Sequence, residues 1–141
     1  MQPLTILIVG TGKVGRETGR RLTADGHRLT FIEKEHETAL EAKAIFGDKV
    51  ITGDGCDPKV LEQAGITTMQ VIIAATGDDE DNLIIAELAH HIFGVQTVMT
   101  RVNRPENQWL FTAHRGVDLA FCPVVMTADF IKAELDKKSP K

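Results

Sequence analysis

Short apolar runs recur along the chain at regular intervals, separated by stretches in which apolar positions return every three or four residues. The first run, Leu4 to Val9, is apolar but for Thr5 and rich in Ile, the pattern of a central parallel strand buried on both faces. Lys13 to about Ala24 reads as a helix on which Val14, Thr18, Arg21 and Leu22 leave a narrow stripe, stopped by Asp25-Gly26. Leu29 to Glu33 predicts a second strand, Glu35 to Phe46 a helix with Leu40, Ala44 and Ile45 turned inward, and Gly47-Asp48 a turn into a third strand at Val50-Ile51. The alternation then repeats with a short helix from Pro58 to Ala64, a strand from Val71 to Ala75, a helix from Asp79 to about Phe93 ended by Gly94, and a strand from Thr97 to Val102. Pro105 to Thr112 predicts a helix with proline in its first turn, Val117 to Phe121 a last strand, and Met126 to Leu135 an amphipathic terminal helix.

Six strands alternating with helices through short loops imply an α/β fold, a three-layer doubly wound parallel sheet of the Rossmann type with right-handed crossovers and strand order 3-2-1-4-5-6. Residues 1–136 are expected to form that one domain, and residues 137–141 a disordered tail. Ligands of such sheets lie beyond the carboxyl ends of strands one and four, where the winding reverses, so function is sought there.

Composition narrows the classes. A chain of 141 residues with 43% hydrophobic content builds one core. No run approaches the roughly eighteen apolar residues of a membrane span, and residues 1–11 lack a secretory pattern, so a cytoplasmic protein without direct membrane insertion is expected. A net charge of -4 and a pI near 5.7 argue against nucleic-acid binding. Tyrosine is absent, which removes chemistry that depends on a tyrosine acid. Cys56 and Cys122 have no CxxC spacing and read as buried small residues.

The turn after strand one reads Gly10-Thr11-Gly12-Lys13-Val14-Gly15, a GxGxxG pattern between a buried strand and a helix, with Glu33 ending strand two about 20 residues further on. Gly10 permits the tight turn, Gly12 lets a pyrophosphate approach the backbone, and Gly15 lets the helix pack on the strand, while free N–H groups at the helix start face the phosphates. The plain alternative is a strand-to-helix turn without a ligand. A Walker A loop is excluded, because Arg16 and Glu17 follow Gly15. Glu33 can accept both ribose hydroxyls and repel a 2′-phosphate, which favours NAD(H), ATP, ADP or AMP and disfavours NADP; Lys34 beside it works against that discrimination. Lys13 and Arg16 sit where the helix dipole disfavours cations, so they either meet a polyphosphate or are neutralised by Glu17 and solvent.

Further candidates border the same crevice. Asp54, Gly55 and Cys56 lie at its mouth, while Asp57 before Pro58 reads as an ordinary helix cap. Strand four runs out at Ala75-Thr76-Gly77, where glycine allows close approach and the threonine hydroxyl can bond a ribose or phosphate. The run Asp78-Asp79-Glu80-Asp81 is explained by capping and dipole stabilisation; a metal site is the sharper alternative, and no metal ligand is assigned. His90 and His91, adjacent on one helix, point about 100° apart and cannot chelate together.

Four stretches in order, Ile8 to Gly15, Gly53 to Leu61, Ala74 to Asn82 and Arg101 to Asn107, resemble the RCK (regulator of potassium conductance) or TrkA N-terminal domain family over nearly the whole chain. The resemblance implies a cytoplasmic regulator of potassium uptake systems or channels, peripheral to the inner membrane only through a transporter partner, dimeric or in rings, that binds NAD(H), ATP, ADP or AMP and changes shape on nucleotide exchange. Carried over by position, Gly10, Gly12, Lys13 and Gly15 hold phosphates, Glu33 the ribose, Asp54 and Cys56 surround the adenine, Thr76 meets the sugar side, and Arg101 reaches an effector or a neighbouring subunit. Cys122-Pro123 is followed by Val124 where many members carry a glutamate that holds a cation, and the second ligand domain common in the family is not expected within this chain. Two other readings stay open. One is an NAD-dependent oxidoreductase, against which stand the missing substrate domain and tyrosine; the other is an assembly scaffold with a vestigial site.

Overall fold

A computed structural model describes residues 2–140. Met1 and Lys141, the latter part of the expected tail, lie outside the described residues. Six parallel strands, β1 Thr5–Val9, β2 Arg28–Glu33, β3 Val50–Thr52, β4 Val71–Ala74, β5 Thr97–Arg101 and β6 Leu119–Phe121, form one sheet in the order β3-β2-β1-β4-β5-β6. The doubly wound Rossmann fold and its strand order are therefore as the alternating pattern predicts. Chain direction across the sheet reverses between β1 and β4, which leaves the crevice beyond their carboxyl ends.

Both faces of the sheet are covered, so β1 and β4 are apolar at every buried position. Leu7, Val9, Ile72, Ala74 and Val98 pack against α3 (Pro58–Gln63) and α4 (Asp79–Glu87) through Leu61, Ile85 and Ala86. Ile6, Ile8, Phe31 and Ile73 face the other way, toward α1 (Lys13–Ala24) and α2 (His36–Phe46), where Phe46 stacks on Phe31 with ring centroids 4.1 Å apart. Each fully buried Leu, Ile or Phe contributes about 1.5–3 kcal/mol, and these two layers hold the strand ends in place.

The inward faces of α1 and α2 differ from the predicted ones. On α1 the buried residues are Gly15 and Gly19, and a Cβ at Gly19 would collide with the Phe31 ring, so contact is made by backbone; Val14, Thr18 and Leu22 are half-buried and Arg21 is exposed. On α2 the buried residues are Ala39 and Ala42, whereas Leu40 and Ile45 are each 52% exposed and Ala44 is also outward. Both helices lie close against the strands, which selects small residues inward and displaces large ones.

Other elements shift slightly. The helix predicted from Asp79 ends in a π-helical turn, Leu88–Ile92, closed by Gly94 at φ +64. Pro105–Leu110 is 3-10 rather than α-helical. α5 runs Pro123–Lys138, so Lys137 and Lys138, expected in the tail, are helical. α5 buries no residue, and its Phe130 is 78% exposed. Among the described residues no helix is long and apolar enough to cross a membrane.

Candidate functional site

The crevice at the carboxyl edge of the sheet encloses about 350 Å³, within the range of small-molecule sites. Gly10 and Gly12 line it after β1, Glu33 and Lys34 after β2, Asp54 and Gly55 after β3, Ala75, Thr76 and Gly77 after β4, and Arg101 at the end of β5. These predicted residues are brought together. Thr11, Lys13, Val14, Gly15, Arg16 and Cys56 are not part of the lining.

The three glycines of the loop do separate jobs. Gly10 has φ +104, and a Cβ there would stand 2.7 Å from the Ala75 carbonyl oxygen, so the β1 turn passes directly beside the end of β4. A Cβ at Gly15 would collide with the Gly10 carbonyl oxygen, which sets how closely α1 starts behind the loop. Gly12 is different: nothing lies within 4 Å of its Cβ position, and the backbone there faces open crevice. Gly12 is also the N-cap of α1, whose first turn has neither a side-chain cap nor an acid, so its N–H groups are open to an anion.

Glu33 is only 9% exposed and is held from two sides. Its Oε1 accepts the Thr11 N–H at 2.7 Å and the Thr11 hydroxyl at 3.1 Å, and its Oε2 accepts the Glu35 N–H at 2.9 Å. Thr11, fully buried, therefore orients the acid and does not itself meet a ligand. Carboxylate oxygens retain lone pairs beyond these bonds, so a hydroxyl donor in the crevice still finds an acceptor. Lys34 meets Asp81 across the crevice mouth at 3.4 Å, and that carboxylate, chiefly through its charge, raises the ammonium above its ordinary pKa.

Lys13 and Arg16 do not point into the crevice. They line a separate groove with Glu17, Arg20 and Ile45. Arg16 pairs with Glu41 at 3.2 Å, and Glu17 pairs with Arg20 and Arg21 at 2.7 and 2.8 Å, so Arg16 is neutralised from α2 rather than by Glu17. Cys56 is half-buried against the core, with burial and then the Asp81 and Asp54 carboxylates pushing its thiol up to about 12; Cys122 is buried as expected. Asp54 reaches the crevice, yet one of its oxygens accepts the Cys56 N–H at 2.9 Å within its own turn.

Two residues outside the predicted nucleotide contacts, Asn82 and Asp79, brace the far wall from behind. Asn82 is fully buried: its Oδ1 accepts the Thr76 N–H at 3.0 Å and hydroxyl at 2.7 Å, while its Nδ2 donates to the carbonyls of Thr76 and Arg101 at 3.1 and 3.0 Å. Asp79 accepts from the Asn103 N–H, the Asn103 and Asn107 amides, and the Arg104 N–H, all at 2.6–3.0 Å. Burial alone raises the Asp79 carboxyl, but these four donors outweigh it and hold it below its ordinary value. Asp57 and Asp78 are caps, accepting the N–H groups of Lys59 and Asp81. The signal for Asn82 is a polar residue at an inward helical position, which periodicity alone scores as a defect.

The family model of the TrkA-N domain matches residues 6–123. A Trk system potassium uptake protein TrkA of Mycobacterium tuberculosis (strain ATCC 25618 / H37Rv) is 38% identical over 129 residues, covering 92% of this chain and 58% of that protein. The chain thus spans little more than half the length of that curated relative. Among solved structures, the Kef CTD of Shewanella denitrificans in an AMP-bound form superposes with a TM-score of 0.80 at 23% identity, over 94% of this chain and 80% of that one. A GsuK structure bound to ADP superposes with a TM-score of 0.78 at 24% identity, over 96% of this chain and 35% of that one. At such identities the structural likeness establishes the fold.

Proposed function

The chain belongs to the TrkA-N domain family, and from that premise and the crevice we propose that it is a nucleotide-sensing regulatory domain of a potassium uptake system or channel. The observation that carries this is the buried Glu33 carboxylate, oriented by Thr11 beside the bare backbone of Gly12 and the open amino end of α1. That arrangement fits an adenosine ribose on the acid and phosphates at the helix start. The AMP- and ADP-bound neighbours support an adenine nucleotide as ligand. Glu33 disfavours a 2′-phosphate, and Lys34, already engaged by Asp81, offers it little compensation, so NADP is the poorer ligand.

In this reading Gly10, Gly12 and Gly77 let phosphates near the backbone, Thr76 meets the sugar side, and Asp54 and Gly55 border the base. Thr11, Gly15, Val14 and Cys56 support the site from behind, and Lys13 and Arg16 serve the outer face of α1. The domain acts by binding and not by catalysis, resides in the cytoplasm, assembles with a second copy, and reaches the membrane through a potassium transporter or channel subunit. The Trk name of its M. tuberculosis relative supports that partner class.

Calorimetric titration with ATP, ADP, AMP, NAD+ and NADH, beside an assay for cofactor oxidation, tests the reading. At least one nucleotide binds, Glu33→Ala weakens it about tenfold or more, and no turnover occurs. Turnover would turn the assignment to an oxidoreductase, and absence of any binding would turn it to a scaffold.

A further inference from the structure

We propose that Asn82 is a positioning residue that fixes the Thr76 hydroxyl as a hydrogen-bond acceptor, making the end of β4 a subsite for a ligand hydroxyl, as on a second sugar, and not for a phosphate. The proposal rests on the nucleotide reading above and deepens it.

The Asn82 amide has one workable orientation. Its Nδ2 donates to the carbonyls of Thr76 and Arg101 at 3.1 and 3.0 Å, while its Oδ1 accepts the Thr76 N–H at 3.0 Å. Exchanging the two ends would set an oxygen against two carbonyls and an NH2 against an N–H, at a residue that is fully buried. Oδ1 is thus the atom facing the Thr76 hydroxyl at 2.7 Å, and an amide oxygen only accepts. The hydroxyl proton is spent on it, and the alternative internal partner, the Asp78 carbonyl at 3.1 Å, would take the proton too. Of the two lone pairs on Thr76 Oγ1, one accepts the Asp78 N–H at 3.2 Å and the other is left for the crevice that Thr76 lines.

A lone pair repels an ionised phosphate oxygen and attracts an O–H donor. Asp78 and Asp81, which line the same wall, repel an anion further. Position in the sheet decides which ligand group arrives. In the order β2-β1-β4, Thr76 stands two strand spacings from Glu33, roughly 10 Å, with the open amino end of α1 between them. An adenosine ribose on Glu33 and a pyrophosphate at that helix end bring the next group of the ligand to Thr76. In ADP-ribose or NAD+ that group is a sugar with hydroxyls to donate; in ATP it is a third phosphate.

Calorimetric titration of wild type, Thr76→Val, Thr76→Ser and Asn82→Ala with ADP-ribose, NAD+, ADP and ATP, in buffer without divalent cations, tests this. Thr76→Val raises the Kd for ADP-ribose and NAD+ about fivefold and leaves those for ADP and ATP within about twofold, while Thr76→Ser keeps the wild-type selectivity. Asn82→Ala frees the hydroxyl proton, so its preference for ADP-ribose over ATP falls, whereas mere loosening of the fold would weaken both alike. If Asn82→Ala does not fold, as thermal unfolding would show, the two Thr76 variants decide. Thr76→Val weakening ATP as much as ADP-ribose, no change with any ligand, or a folded Asn82→Ala with wild-type selectivity overturns the proposal and leaves the nucleotide reading intact. So does a wild type that binds ADP or ATP but neither sugar-bearing ligand. Binding of none of the four overturns the proposal, and failure of AMP and NADH as well overturns the nucleotide reading.

Discussion

One added methyl group distinguishes Gly12 from Gly15. At Gly15 the new Cβ meets the Gly10 carbonyl oxygen, which is backbone and cannot swing away, so Gly15→Ala is expected to cost roughly 1–3 kcal/mol. At Gly12 the Cβ enters open crevice with φ at -69, so Gly12→Ala costs under about 1 kcal/mol, chiefly as a poorer cap. The methyl group there occupies the space a phosphate needs. Urea unfolding and nucleotide titration, run side by side, should show Gly15→Ala lowering the midpoint and Gly12→Ala lowering affinity at nearly unchanged midpoint. Equal midpoints for the two variants would contradict this division of labour. The GxGxxG spacing discloses both roles, since it places Gly12 at the start of α1 and Gly15 where the helix meets the loop. The direction of Arg16 was not legible, because it depends on Glu41, a partner 25 positions away.

At the scale of elements, the amino end of α4 is tied to the segment after β5 through Asp79. Its carboxylate receives two backbone N–H groups, from Asn103 and Arg104, and two side-chain amides, so it organises a turn that has few other partners. Because the folded pKa lies below the unfolded one, the stabilisation is complete above the ordinary carboxylate range and is lost as pH falls through the lowered value. The stability gap between wild type and Asp79→Ala should therefore be constant above about pH 5 and narrow below about pH 4. Denaturant midpoints measured from pH 3 to 7 check this, and a gap that widens toward acid contradicts it. Sequence reasoning saw capping in the run Asp78 to Asp81 and was right for Asp78, which holds the Asp81 N–H. The tie from Asp79 to the segment after β5 is not legible in that run, because its four donors arrive from residues 24–28 positions downstream.

The molecule as a whole was legible where periodicity speaks: strand count, strand order and the place of the crevice follow from short apolar runs between helical stretches. It was less legible where packing distance decides, as on α2, where Ala39 and Ala42 face the sheet and Leu40 and Ile45 face water. Large side chains turned outward need another account, and α5 poses the same question more sharply. A helix of this length has little stability in water without tertiary support, yet α5 fully buries no residue, packs only Val125 of its large apolar side chains against the core, and exposes Val124, Met126, Phe130, Ile131 and Leu135. The same chain leaves Leu119 of the edge strand β6 52% exposed and Met99 and Phe121 only half-buried. The proposed second copy would account for both incompletely covered apolar surfaces if its α5 covers what this copy's helices do not. Light scattering on the purified chain should then give a mass at least twice the 15.5 kDa of one chain. Phe130→Asp should lower it toward the monomer and reduce the helical circular dichroism as α5 loses its support. A monomeric wild type, or a variant that keeps both mass and helicity, would show that α5 stands without that partner.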